Sequence, residues 1–227
     1  MKSAPISPEA VAARLAPLGF SIPDDALIGL AAYLGLLMKW NKAMNLVGTR
    51  SWPETLETLV TDSFHLANFL PRTGLTSPTN GAPSQNKTTP LDTLDLGAGA
   101  GLPGIPLRLL WREGRYTLIE VREKRALFMK TALAACDAGN TRVFHGRAEE
   151  YFATSPPADC IISRAFMPWR DLLAFVHGAL APGGRIIFLA LTPTPEDLPE
   201  GWSAIAETAY SIGNKTRYLW CAGKEDA

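Results

Sequence analysis

The sequence predicts an α/β fold, a mostly parallel β-sheet covered by helices on both faces, behind an N-terminal run of helices. Three observations predict it. From residue 91 onward, short apolar runs at 93–96, 117–121, 142–144, 160–163 and 185–189 alternate with helical patterns, which is how successive βαβ units read. The first run ends in a glycine-rich turn, Gly97-Ala98-Gly99-Ala100-Gly101-Leu102-Pro103-Gly104. Near the C-terminus, runs at 209–212 and 217–221 flank Gly213-Asn214-Lys215, a turn-forming trio that predicts an antiparallel hairpin.

The elements before the sheet carry their own start signals. Ser7-Pro8-Glu9 combines a capping hydroxyl, a proline in the first turn and an acid at the positive helix end. A second helix starts near Pro23-Asp24-Asp25 and runs towards Asn45, with Leu27, Leu30, Leu34 and Leu37 at steps of three and four. Ser51-Trp52-Pro53-Glu54 opens a third helix that reaches Leu70-Pro71. Residues 74–90, GLTSPTNGAPSQNKTTP, are poor in apolar side chains and read as a flexible loop. The chain therefore divides into a helical extension (1–73), this loop (74–90) and the sheet domain (91–227). The helix after the fourth strand is expected to end in Leu180-Ala181-Pro182-Gly183-Gly184-Arg185.

Composition sets bounds. Hydrophobic residues make up 47% of the 227, enough to bury a core, and 22 basic residues balance 22 acidic ones. No global charge points to nucleic acid, so any such partner must be met by a local patch. Cys136, Cys160 and Cys221 lie far apart without metal-ligand spacing, so neither a metal site nor a disulfide framework is expected. The first residues show no signal-peptide pattern, and the apolar stretch 26–38 is shorter than the roughly 20 residues that cross a bilayer. A cytoplasmic monomer, free of membranes, is the expectation. His65, His145 and His177 are scattered and none is read as a catalyst.

The glycine turn is the segment that carries chemistry. Glycine is required where a backbone bends sharply against a ligand, and the helix that follows offers free N–H groups there. Gly99 to Gly104 matches G-x-G-x-x-G, and Glu120 stands at the end of the next strand, where an acid grips ribose hydroxyls. That pattern alone fits both an NAD-dependent oxidoreductase and a class I (Rossmann-like) S-adenosylmethionine-dependent methyltransferase. Asp95 at the strand end, suited to a cationic sulfonium, favours the second, as do the Pro182-Gly183-Gly184 turn and the terminal hairpin. That fold implies a seven-stranded sheet.

Further blocks go beyond the superfamily. Trp40-Asn41-Lys42-Ala43-Met44-Asn45-Leu46 resembles the W-N-x-x-x-N-L signature of the RsmG (GidB) family, which methylates guanine in small-subunit ribosomal RNA. Asp62-Ser63, residues 95–106 (DLGAGAGLPGIP), Glu120 with Lys124-Arg125, Gly146-Arg147-Ala148-Glu149 and Ile162-Ser163-Arg164-Ala165-Phe166 follow in family order. The resemblance implies methyl transfer from S-adenosylmethionine to ring nitrogen 7 of a guanine in 16S rRNA of the small ribosomal subunit. It implies Gly97, Gly99 and Leu102 along the methionine and ribose side, Glu120 on the ribose hydroxyls, Ala148 and Glu149 beside the adenine, and Arg164 where cofactor and base meet. No catalytic base is implied. Two departures fall on the substrate side: Thr58-Leu59-Val60-Thr61 replaces an Arg-His pair usual before Asp-Ser, and 189–193 (LALTP) lacks the usual lysine and glycine. These leave room for a different RNA or a small molecule as substrate.

For RNA, the sequence offers a basic run of Arg108, Arg112, Arg115, Arg122, Lys124, Arg125 and Lys130 for phosphates, and Phe166 and Trp169 as stacking surfaces.

Overall fold

The computed structural model describes residues 6–75 and 90–224. Most of the loop expected at 74–90 lies outside the described residues. The N-terminal helices are α1 (Pro8–Leu15), α2 (Asp24–Met44), α3 (Trp52–Thr55) and α4 (Thr61–Phe69). Their caps are those the sequence announces. The Ser7 side chain accepts from the Ala10 amide at 3.2 Å, and the Ser51 side chain from the Glu54 amide. Asn45 ends α2 in the left-handed conformation (φ 48°). Between α3 and α4 the helix is continuous but widened, with a π-turn over Leu56–Val60.

The sheet has seven strands, β1 (Asp92–Leu96), β2 (Arg115–Glu120), β3 (Thr141–His145), β4 (Ala158–Arg164), β5 (Leu180–Ala190), β6 (Trp202–Ile212) and β7 (Lys215–Lys224). Helices α5 (Gly104–Leu110), α6 (Glu123–Ala135), α7 (Ala148–Thr154) and α8 (Trp169–Val176) connect the first five. The spatial order is β3-β2-β1-β4-β5-β7-β6, the pairs among β1 to β5 being parallel and β7 running against both neighbours. The chain proceeds from β1 outward to β3, then returns to β4 on the other side of β1. That reversal makes the gap between β1 and β4 a topological switch point, open at the carboxyl ends of the strands.

Strand alternation decides which helices cover which face. Leu94, Leu96, Ile119, Ile161 and Ile186 join α7 and α8 in one core cluster, while Leu118, Cys160, Ile162 and Ile187 point the other way. That second core also takes in Val11, Leu30, Leu34, Leu37, Leu56 and Phe64. The N-terminal helices are thus one wall of the sheet domain's core. Each fully buried leucine contributes about 1.5–3 kcal/mol relative to exposure.

Two expectations are corrected. The segment 180–185 is not the end of a helix: α8 stops at Val176, and Leu180 already begins β5, whose register with β4 shifts between Ala158 and Cys160. The Pro-Gly-Gly turn signal marks that irregularity, where missing side chains let the strand bend. The hairpin is longer on both sides than the apolar runs indicated and turns on Gly213-Asn214 alone. Its extra residues alternate on a half-exposed edge, so no apolar run marks them.

Arg108 is a third correction. Expected on an RNA-facing surface, it is 0% exposed. Its guanidinium donates to the carbonyls of Trp111 (2.8 Å), Glu113 (2.7 Å) and Gly114 (3.4 Å) and to the Thr141 hydroxyl (3.1 Å). It ties the α5–β2 connection to the start of β3. Among the described residues no helix is long and apolar enough to cross a membrane. Replacing Arg108 by Leu removes four hydrogen bonds from a part-buried connection, three of them to carbonyls, and bonds from a charged donor contribute about 1.5–3 kcal/mol each. We expect Arg108→Leu to lower the unfolding free energy by about 3 kcal/mol or more in urea titration; a loss under about 1 kcal/mol would contradict this role.

Candidate functional site

The site is built where β1, β2, β3 and β4 end together. The turn after β1 carries Gly97, Gly99 and Leu102; β2 ends at Glu120; α7 opens with Ala148 and Glu149; β4 ends at Arg164. These seven candidates therefore stand on one edge of the sheet, around the switch point. They differ in what they touch.

The glycine turn is held by the backbone and from outside it. Gly101 and Leu102 amides bond the Ala98 carbonyl at 2.7 and 3.2 Å, and the Ala98 amide reaches the Ile119 carbonyl on β2. The Gly99 amide donates to one Glu120 carboxylate oxygen (2.9 Å), and the other oxygen accepts from the Arg122 amide (2.9 Å). Glu120 is 4% exposed and acts first as the clamp that shapes the turn. A carboxylate has about four acceptor positions, so capacity remains for a ligand hydroxyl. Gly97 is exposed at φ +67°, and a Cβ there would stand 2.7 Å from the Phe166 ring. Only glycine keeps that space between the turn and the segment leaving β4.

Asp95 sits differently from the sequence expectation. Leu94 and Leu96 face the α7–α8 side, so Asp95 faces α5, where it is 1% exposed and accepts from the Tyr116 hydroxyl at 3.2 Å. A Cβ on Gly104 would lie 2.5 Å from its oxygen, so glycine at the start of α5 admits this carboxyl beneath the turn. Burial pushes its pKa up to about 7, against hydrogen bonds from Tyr116 and the Gly104 backbone. Its contacts are internal to the fold, and it is not an anion displayed at the loop surface.

On the β3 side, Ala148 is buried at the first turn of α7. The Arg147 amide donates to Glu150, half of a capping box, and Glu149 is exposed beside the Arg147 guanidinium at 3.2 Å. That neighbour and the helix backbone lower the Glu149 pKa. On the β4 side, Ala165 adopts φ +53° directly after Arg164, at a cost of roughly 1–2 kcal/mol for a residue with a Cβ. This turn aims Phe166 at Gly97.

Sequence reading missed the side chains that brace these groups. Arg164, 24% exposed, pairs with Asp62 on α4 at 3.2 Å. Asp62 also receives Arg217 (2.6 and 2.7 Å) and the Tyr210 hydroxyl (2.8 Å) from the terminal hairpin. The Tyr33 hydroxyl donates to the Ala100 carbonyl (2.8 Å) and Ser63 to the Pro103 carbonyl (2.9 Å). The one signal available was the Asp62-Ser63 pair of the family pattern, lying between apolar Val60 on one side and Phe64 and Leu66 on the other. Trp40 packs edge-on against Phe128 of α6, and Asn41 bonds the Val47 amide and the Thr49 carbonyl, so the tryptophan–asparagine signature fixes the exit of α2.

The basic run does not survive as one surface. Beyond buried Arg108, Arg112 pairs with Asp25 and Asp137, and Arg115 with Asp92. Arg122, Lys124 and Lys130 stay exposed, and Arg125 reaches back towards Gly99. Trp169 packs edge-on against Trp220 and under Arg170. The three cysteines are buried free thiols, and no group of metal ligands occurs among the described residues.

The chain is similar to known proteins along most of its length. The family GidB, described as rRNA small subunit methyltransferase G, matches residues 27–196. Proteins named ribosomal RNA small subunit methyltransferase G are similar along most of the chain. The one from Nitratidesulfovibrio vulgaris is 52% identical, over 89% of this chain and 87% of its own. The one from Oleidesulfovibrio alaskensis is 40% identical, over 96% and 94%. Among solved structures, an O-methyltransferase from Bacillus cereus in complex with SAH superposes with TM-score 0.58 at 16% identity, over 95% of this chain and 97% of that one. A putative O-methyltransferase from Klebsiella pneumoniae gives 0.57 at 13%, over 93% and 94%. These structures share the fold.

Asp95 makes stability depend on pH. Its carboxyl titrates near its ordinary 3.8 when unfolded and at about 7 when folded. Between those values the folded protein keeps a proton that the unfolded chain releases, so this contribution is full below about pH 4 and is lost as pH rises through about 7. Asp95→Asn, which stays neutral, should gain stability relative to the native chain as melting is followed from pH 4.5 to 8. A constant difference across that range would show that Asp95 is not protonated in the fold.

Proposed function

Because the chain belongs to the rRNA small subunit methyltransferase G family, we propose that it transfers a methyl group from S-adenosylmethionine to ring nitrogen 7 of a guanine in 16S rRNA. The observation that carries the reading is the family match over residues 27–196, coinciding with a carboxyl edge on which every implied cofactor residue converges. The residues present fit the cofactor. Gly97 lets the exposed turn run close against the Phe166 ring, which a Cβ would meet at 2.7 Å, Glu120 brings a nearly buried carboxylate to the end of β2, and Ala148 keeps a small side chain at the start of α7. In this reading Gly97, Gly99 and Leu102 border the methionine and ribose, Glu120 accepts from the ribose hydroxyls, and Ala148 and Glu149 border the adenine.

When bound, S-adenosylmethionine supplies an electrophilic methyl group. Nitrogen 7 of guanine carries a lone pair and no proton, so the chain needs no general base. Its work is to hold the base in line and keep it there, which can lower a barrier by several kcal/mol. Arg164, where cofactor and base meet, is the side chain in reach of both. Its pairing with Asp62 offsets part of its charge, which suits a reaction that leaves a positive charge on the methylated base. Phe166, set against Gly97, offers a face for stacking. Phosphate contacts fall to the residues left exposed, Arg122, Lys124 and Lys130, with the chain acting as a cytoplasmic monomer.

The direct test is transfer from radiolabelled S-adenosylmethionine to 30S subunits taken from a strain without this modification, followed by nucleoside analysis. The expected product is 7-methylguanosine, formed at a rate that falls with salt. S-adenosylhomocysteine should raise the melting temperature where NAD does not. Binding of S-adenosylhomocysteine without any transfer to 30S subunits or 16S rRNA would move the assignment to another substrate.

A further inference from the structure

Helix α4 is buried all round at its start. Val60, Thr61, Asp62, Ser63 and Phe64 are consecutive and all buried, whereas a helix with a single apolar stripe returns to solvent within that span. Three of the five are polar, and each polar group placed there requires a partner. Thr61 turns back to the Glu57 carbonyl within its own helix. Asp62 and Ser63 reach out to the two sides of the switch point.

Ser63 donates to the Pro103 carbonyl at 2.9 Å, where the glycine turn passes into α5. Asp62 holds Arg164 at 3.2 Å, where the chain leaves β4. β1 and β4 are the strands between which the ligand cleft opens. Two adjacent residues of one helix therefore fix the segments leaving both strands. The π-turn over Leu56–Val60 comes immediately before them. A π-turn sets one extra residue into the helix and changes its phase, and this brings both side chains of α4 inward here. Arg217 and Tyr210 complete the acceptor positions of Asp62 from the side away from the glycine turn. Asp62 is 1% exposed and cannot swing away.

We propose that Asp62 and Ser63 are positioning residues for methyl transfer, Ser63 setting the cofactor side of the cleft through the glycine turn and Asp62 setting the guanine side through Arg164. The proposal rests on the function read above. It assigns the two residues different kinetic signatures, which a general structural role would not. Ser63 acts on binding. Asp62 acts on the geometry of the filled site, because the guanidinium it fixes lies where cofactor and base meet.

The experiment measures S-adenosylhomocysteine affinity by calorimetry and single-turnover methyl transfer to 30S subunits at saturating S-adenosylmethionine. Ser63→Ala should weaken binding about five- to tenfold, the scale of one hydrogen bond, and leave the saturated rate within about twofold. Asp62→Asn should lower the saturated rate about a hundredfold, the scale of an ångström of misplacement, with a smaller effect on binding. In an Arg164→Ala background, Asp62→Asn should add less than about threefold, because the two act as one unit. Full additivity of Asp62→Asn and Arg164→Ala overturns the proposal, as does unaltered binding by Ser63→Ala. Should Asp62→Asn show no cooperative melting, the Ser63→Ala result decides alone, since that variant carries no charge change. A native chain that binds no S-adenosylhomocysteine defeats the cofactor reading itself. A fully active native chain with indifferent variants defeats only the positioning role.

Discussion

The glycine turn folds its carbonyls inward, into a core shared by the sheet and the N-terminal helices. A carbonyl left unpaired there costs about 1–3 kcal/mol; the Ile105 and Leu107 amides of α5 take the Gly101 and Pro103 carbonyls, and side chains from other elements add to them. Tyr33 takes Ala100 and Ser63 takes Pro103, from two different helices. Glu120 takes the Gly99 amide from the next strand. The curvature that a ligand would meet is thus held by the turn's own backbone bonds and by three side chains lying outside it. Moving α2 or α4 would move it. This is why residues before β1 pack as a wall of the domain, and why their polar side chains are found in the core.

Burial of charge follows the same logic at Asp62. A carboxylate inside an apolar helix packing is costly unless fully paired, and two guanidiniums and a phenol pair it. The pairing joins α4, β4 and the terminal hairpin at one point. Arg164 stands at the end of β4 and is 24% exposed, against 17% for Arg217, so the network's rigidity reaches a group at the carboxyl edge of the sheet.

Much of this was legible in the sequence. Alternating apolar runs and the glycine turn announce the sheet, and serine caps place the helix starts, because both depend on local patterns. Glu120, an acid at the end of the strand after a glycine turn, was legible for the same reason, whereas Ala148, Glu149 and Arg164 were named through the family resemblance alone. Pairings across long sequence separations were not. Arg108 looks like any surface arginine until the α5–β2 connection wraps its carbonyls around it. Asp95 reads as an exposed anion, yet the phase of β1 turns it under α5. The stretch 180–185 has the composition of a loop and lies in a strand, where pairing with β4 overrides local preference. Asp62 and Ser63 stood in the sequence as a pair without a visible purpose. Their purpose is a matter of three-dimensional adjacency.

The partners of Asp62 also set an order of events. Tyr210 and Arg217 lie 148 and 155 residues further along the chain. During synthesis, then, α4 emerges with a carboxylate whose counter-charges do not yet exist, and the closure of so long a loop is among the slower steps of folding. The cleft-facing arginine is fastened only after the last hairpin docks. Until the C-terminal strands are in place Asp62 lacks Tyr210 and Arg217, so the site is settled by the last part of the chain to be made.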